Sequence, residues 1–231
     1  MFPPEAITFL KGLAKNNRRE WFQARKEIFD TKLKGRMLEF VEEINAELLK
    51  FAPEHITEPK KSVYRIYRDT RFSKDKTPYK THLAAIFPRH GGAAGVSQRE
   101  ATPGFYFNIS ADGVGVAGGL YGPQPEQMYA VRGWLAENHA AFLKAVRTPE
   151  KLMGKLEGES LQRVPKGFHP EHAAADLLKM KQWAFHAGLP ADLVESPKLQ
   201  GELVKRFKLM LPVLELLNTA MGKPRKPVVG F

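Results

Sequence analysis

The spacing of apolar residues divides the chain into a helical, then an extended, then a second helical stretch. Pro3-Pro4 followed by Ile7, Leu10 and Leu13 predicts a short helix with proline in its first turn. Asn16-Asn17 ends it. Asn17 is placed to cap the next helix, with Glu20 three residues on completing a capping-box-like pair. That helix carries Phe22, Phe29, Leu33, Met37, Phe40, Ile44 and Leu48 at helical steps, with Glu39, Glu42, Glu43 and Glu47 off the stripe. Gly35 is a point for division into two helices, and Pro53 ends the run.

From Val63 to Phe72 the chain is rich in Tyr, Ile, Arg and Thr and reads as a strand; Leu83 to Pro88 reads as a second. Residues 90–103 read as a mobile polar, glycine-containing loop. Phe105–Ser110, Ala111-Asp112-Gly113 and Val114–Leu120 make a hairpin signal, because Asp-Gly supplies a positive-φ position. After Pro123-Gln124-Pro125 the helical period returns through Met128, Val131, Leu135, Phe142 and Val146. A loop at Pro165–Phe168, a helix near Asp176–Ala187 and a long helix from Pro197 to Met221 follow. The last has Leu199, Leu203, Phe207, Met210, Leu214 and Leu217 as its stripe, and Pro212 inside it should kink or split it. The predicted fold is α+β: a central antiparallel sheet of four or more strands flanked by N- and C-terminal helices. One domain over 1–231 is expected, helical over 3–52, mainly β over 60–121 and mainly helical over 124–222.

Composition sets the class. Of 231 residues 43% are hydrophobic and 26% charged, enough for a sizeable core. The absence of cysteine excludes disulfides, thiolate metal sites and a cysteine nucleophile, and fits a reducing compartment. No apolar run approaches the roughly 20 residues of a membrane span, so a cytoplasmic protein with no membrane partner is expected.

The net charge of +11 is concentrated. Residues 60–89 hold nine Lys/Arg against Asp69 and Asp75, a local excess of seven, which attracts phosphate-bearing partners by long-range steering. On an extended strand Tyr64, Ile66, Arg68, Thr70 and Phe72 share one face, and Arg65, Tyr67, Asp69 and Arg71 the other. Arg68 among apolar neighbours needs a carboxylate, from Asp75 or a helix glutamate. On the other face two guanidinium groups flank Asp69, an arrangement that grips phosphate or carboxylate. Lys74, Lys76 and Lys80 extend the cluster, and Tyr79 either stacks on a ligand or covers the sheet edge. Lys166 is a candidate second phosphate contact.

Several patterns carry less. Gly113-Val114-Gly115-Val116-Ala117-Gly118 matches G-x-G-x-x-G, but no helix opens at Gly118; it reads as a glycine-rich strand that lets a ligand or another strand approach closely. His169-Pro170-Glu171-His172 lacks a third ligand, so no metal is expected, and no cofactor. Asn16 and Asn17 read as helix-terminating residues, or as amide donors to a pocket.

Three segments occur together in one known family: Asn16-Asn17-Arg18-Arg19-Glu20-Trp21-Phe22, Arg68–Lys80 (R-D-T-R-F-S-K-D-K-T-P-Y-K) and Pro165-Lys166-Gly167-Phe168. In them the chain resembles the uncharacterised family called domain of unknown function twenty-four sixty-one. The resemblance spans about Phe2 to Leu189. It implies a single domain, and no reaction, cofactor or catalytic residue comes with it.

Three functional readings stay open. The first is an anion-binding module for nucleic acid or a phosphorylated small molecule, using Arg65, Arg68, Arg71, Lys74, Lys76, Lys80 and Lys166. The second is an enzyme on a small phosphorylated or carboxylated substrate, with Asp69 or Asp75 as general base. The third is an interaction domain in which the charges form a bracing ion-pair network.

Overall fold

In a computed structural model that describes residues 1–71, 73–89 and 102–222, the N-terminal apolar stripe folds as a run of helices. α1 (Pro4–Lys15) begins with proline, whose missing N–H costs nothing in a first turn, and buries Ala6, Ile7, Phe9, Leu10 and Leu13. α2 (Arg19–Gln23) and α3 (Lys26–Ile28) lead into a π-helical segment (Phe29–Lys34) and α4 (Gly35–Leu48). All seven residues of the predicted stripe are buried. Gly35 does not divide the helix. Its N–H donates to the Asp30 carbonyl, a five-residue step that widens the helix here. The residue before α2 is Arg18, so the cap expected of Asn17 and Glu20 does not form; Asn17 turns its amide to Tyr79 instead. A 3-10 turn (Pro53–His55) and α5 (Pro59–Ser62) follow.

Four strands, β1 (His82–Pro88), β2 (Gly104–Ser110), β3 (Gly113–Leu120) and β4 (Trp183–Leu189), form one antiparallel sheet in that order, and with its helices the fold is α+β. β2 alternates as its sequence requires, with Phe105, Phe107 and Ile109 fully buried. The tight connection to β3 ends at Gly113, whose φ of 140° is the positive-φ position that Asp-Gly signalled. The loop expected over 90–103 falls mostly outside the described residues.

Two predicted elements change identity. The stretch 63–71 is not a strand of the sheet; it makes two isolated antiparallel bridges, Val63 with Ala85 and Tyr67 with Tyr79. Val63 and Tyr67 are four residues apart while their partners are six apart, so no regular ladder can run between them. The helix expected over 176–187 is only α7 (Ala175–Lys179), and the chain then becomes β4. Local helix propensity loses to strand pairing here, which buries Trp183 and Phe185 completely.

α6 (Pro125–Met153) buries Val131, Leu135, Phe142 and Val146 of its predicted stripe and is kinked at Asn138 (φ −123°, ψ 17°). The Asn138 side-chain amide donates to the Trp134 carbonyl at 2.9 Å, a polar insertion of the kind that bends helices. α8 (Leu199–Met221) buries its whole predicted stripe and is not split by Pro212.

The chain divides into two compact units. The first comprises Met1–Phe87, Tyr106–Val116 and Gly188–Lys205. In it Phe2 meets Phe40 edge-on at 5.4 Å, and Phe40 meets Phe107 edge-on at 5.5 Å. The second comprises Pro88–Phe105, Ala117–Ala187 and Arg206–Phe231. There Phe105 stacks on Phe207 at 4.7 Å, and the buried Trp183 indole N–H donates to the Leu177 carbonyl at 3.1 Å.

The glycines of β3 let the next strand approach. A Cβ on Gly119, where φ is +141°, would lie 2.2 Å from the Trp183 carbonyl oxygen and 2.6 Å from the Ala184 Cα. Gly119→Ala is therefore expected to cost about 3 kcal/mol or more, from backbone strain and overlap together. Gly201→Ala in α8, with nothing within 4 Å of the new methyl, should be neutral or stabilising by up to about 1 kcal/mol. Urea unfolding of the two variants checks the contrast; equal midpoints would contradict it.

Candidate functional site

The basic motif folds as a loop closed at its base. The Arg68 N–H donates to the Pro78 carbonyl at 2.9 Å and the Lys80 N–H to the Ile66 carbonyl at 2.7 Å, flanking the Tyr67–Tyr79 bridge. This pairing leaves the N–H and C=O of Tyr79 pointing away from Tyr67, and the Asn17 side-chain amide takes both. Asn17 Nδ2 donates to the Tyr79 carbonyl at 2.9 Å, and the Tyr79 N–H donates to Asn17 Oδ1 at 3.1 Å. Asn16 terminates α1, its amide donating to the Gly12 carbonyl.

Within the loop, both aspartates are engaged locally. Asp69 accepts from Arg71 at two points, Nε to Oδ1 at 3.0 Å and Nη2 to Oδ2 at 2.7 Å, and also accepts the Arg71 backbone N–H. Asp75 accepts the Thr77 N–H at 2.9 Å, a turn closed two residues on, and Arg68 Nη1 at 2.5 Å. Arg68 also donates to the Thr77 hydroxyl at 3.0 Å. Asp75 is thus the carboxylate that Arg68 required. The pair is only partly buried, with the Arg68 side chain 29% exposed and Asp75 52%, so it is a solvent-screened surface pair.

These contacts fix the acidities. Arg71 donation, from guanidinium first and backbone second, holds the Asp69 carboxyl down at about 2. The Thr77 N–H and hydroxyl, with Arg68 behind them, hold Asp75 below the usual carboxylate range. A general base working near neutrality needs the opposite shift. Half-buried His82 is pushed below its ordinary value by burial first, then by the positive charges of Lys80 and Arg68.

Two of the expected roles change. Tyr79 is 1% exposed and stacked on Phe22 with ring centroids 4.2 Å apart, so it covers the core and has no ring face to offer a ligand. Arg71 is exposed, but its fork already grips Asp69, so it is not the open clamp that alternation suggested. Lys76 Nζ reaches the Thr70 carbonyl at 2.9 Å, and Lys80 Nζ lies 4.7 Å over the Tyr64 ring. Arg65 and Lys74 are exposed and make no salt bridge with a described carboxylate. Lys166 is exposed beside Gly167 (φ 92°) and belongs to the second unit.

A groove of about 490 Å³ in the first unit was not foreseen. Its floor is apolar, formed by the buried Phe22, Phe29, Met37, Ile66 and Leu83, with Tyr64 and Tyr67 beside them. Its charged lining is Lys26, Lys34, Lys60 and Arg65 with one acid, Asp30, which is ion-paired to Lys26. The spacing of Lys26, Asp30 and Lys34 by four places them on one helical face, a signal that pattern reading of charges would have found. Alternation had put Tyr67 beside Arg65. Tyr67 is 46% exposed, the open ring that Tyr79 is not.

The His169–His172 turn uses its imidazoles internally: His169 Nδ1 accepts the Glu171 N–H and His172 Nδ1 the Ala174 N–H. No described helix is long and apolar enough to cross a membrane. Among protein families, the one described as conserved hypothetical protein (DUF2461) matches residues 5–215 of the chain. No curated protein and no solved structure matches it.

Asn17→Ala leaves two backbone groups of Tyr79 without their partners and is expected to cost about 2 kcal/mol in denaturant unfolding. The Asp69 carboxyl should titrate near 2 by carbon-detected NMR, and Arg71→Gln should return it toward 3.8. Because the folded value is depressed, the stability it supplies is complete above about 3.8 and lost as pH falls through about 2. A wild-type midpoint near 3.8 would show that the Asp69–Arg71 pair does not persist in solution.

Proposed function

We propose that this chain, which belongs to the conserved hypothetical protein family DUF2461, is an anion-binding module for a phosphate-bearing ligand, nucleic acid or a phosphorylated small molecule. One observation carries the reading. Asp69 and Asp75, the two acids of the 60–89 region, are both engaged by arginine, while Lys60, Arg65 and Lys74 keep exposed side chains in no salt bridge with a described carboxylate. An excess of cations left uncompensated attracts and holds phosphate. The lowered pKa of His82 reports the same positive field after its burial.

The bracing-network reading accounts for Arg68 and Arg71 but leaves Arg65, Lys60 and Lys74 outside the salt bridges to described carboxylates. The enzymatic reading is weakened at its base, since the Asp69 and Asp75 carboxyls are held low. A cysteine-free chain suits the reducing cytoplasm, where we place the protein.

Binding of a fluorescent single-stranded oligonucleotide and of pyrophosphate, followed between about 50 and 200 mM salt, tests the proposal. Both affinities should fall as salt rises. For the oligonucleotide, Arg65→Ala/Lys74→Ala should flatten the logarithmic salt slope by about 1.4, for two lost phosphate contacts. The His82 imidazole should titrate at higher pH in the presence of saturating pyrophosphate, as a nearby anion favours its charged form. Affinity indifferent to salt, or unchanged in the double variant, would overturn the reading.

A further inference from the structure

We infer that the groove of the first unit is a binding site for a planar ring joined to a phosphate, the chemistry of a nucleoside monophosphate. The inference rests on the anion-binding reading and says which anion and where. A volume of about 490 Å³ lies within the range of small-molecule sites, roughly 300–1,000 Å³. Its lining separates two chemistries. Buried Phe22, Phe29 and Ile66 close the apolar floor, and half-exposed Tyr67 adds an aromatic ring available to solvent. Around them stand Lys34, Lys60 and Arg65, exposed and in no salt bridge with a described carboxylate.

Apolar and cationic surfaces in one cavity suit a ligand that is apolar at one end and anionic at the other. Three features favour a ring over an alkyl chain. Exposed Tyr67 and partly exposed Tyr64 stand in the wall, and rings prefer offset or edge contacts with other rings. A base stacked on an exposed aromatic gains affinity irrespective of its identity. Arg65 adds a planar cation that both pairs with phosphate and stacks on a ring. The one carboxylate in the lining, Asp30, is held by Lys26 and so does not stand as a free negative charge against the ligand.

The wall also carries a backbone feature associated with sites. Phe29, Asp30 and Lys34 all come from the π-helical segment Phe29–Lys34, and π-helical turns are rare and occur frequently at functional positions. A regular α-helical turn would rotate Lys34 relative to Phe29 and change which of these side chains the groove receives.

Calorimetry on the full chain tests the inference with five probes: adenosine monophosphate, adenosine, ribose 5-phosphate, octyl phosphate and inorganic phosphate. The monophosphate is expected to bind about tenfold or more tightly than each of the other four. Lys34→Ala/Lys60→Ala should weaken it by a similar factor, Tyr67→Leu should weaken it, and Tyr67→Phe, which keeps the ring, should not. All three positions are exposed or half-exposed, so folding of the variants is checked directly by circular dichroism. Equal binding of ribose 5-phosphate or inorganic phosphate would overturn the inference and leave anion binding standing. Equal binding of octyl phosphate would overturn the ring preference, and equal binding of adenosine would remove the role of the cations. Failure of every phosphate compound, together with the oligonucleotide and pyrophosphate, would remove the anion-binding reading itself.

Discussion

The site region of the first unit depends on one residue's backbone. Tyr79 pairs with Tyr67 on one side and gives its N–H and C=O to the Asn17 amide on the other, while its ring stacks on Phe22. A side-chain amide imitates a strand here, satisfying a donor and an acceptor that the missing sheet neighbour would have taken. Through this contact the junction of α1 and α2 is tied to the base of the basic loop. Phe22 and Phe29, which floor the groove, are thereby in the same packed cluster as the hairpin that carries Arg65 and Tyr67. The charged loop does not need its own core, because its stem is held by the helices.

The charges in that loop divide into two kinds. Arg68 and Arg71 shape the loop: each aspartate partner also accepts a backbone N–H two residues on, so each pair is half ion pair and half turn. This arrangement depresses both carboxyls. Lys60, Arg65 and Lys74 form no salt bridge with a described carboxylate. Sorting cations by whether a carboxylate already holds them separates architecture from availability, a distinction that a count of charges along the chain cannot make.

The glycine-rich strand follows from the same attention to backbone. Gly113 and Gly119 both carry positive φ, and a side chain at either would overlap a carbonyl of β4, that of Leu189 or Trp183. Gly113, the first glycine of the pattern that superficially matches a dinucleotide loop, and Gly119 just beyond that pattern are where β4 packs closely. Gly113 serves the close approach of another strand, one of the two uses expected of the pattern's glycines.

Most of the helical architecture was determined by the sequence alone. The apolar stripes of α1, α4 and α8, the β2–β3 hairpin and the α+β class all follow from periods of 3.6 and 2 with turn residues between them, since burying one face requires that spacing. The need of Arg68 for a carboxylate was also readable, because charge beside apolar neighbours must be paired. Tertiary structure decided the rest. β4 pairs with β3, where Gly113 and Gly119 leave room for its carbonyls, a pairing that no local propensity around Trp183 encodes. Asn17 left its capping role for Tyr79, sixty-two residues away, and Tyr79, expected to stack on a ligand or cover the sheet edge, stacks on Phe22. The groove joins Lys34 from a π-helical turn to Arg65 from an irregular hairpin. Its chemistry arises from packing residues distant in the chain, and a one-dimensional pattern carries no distance across the fold.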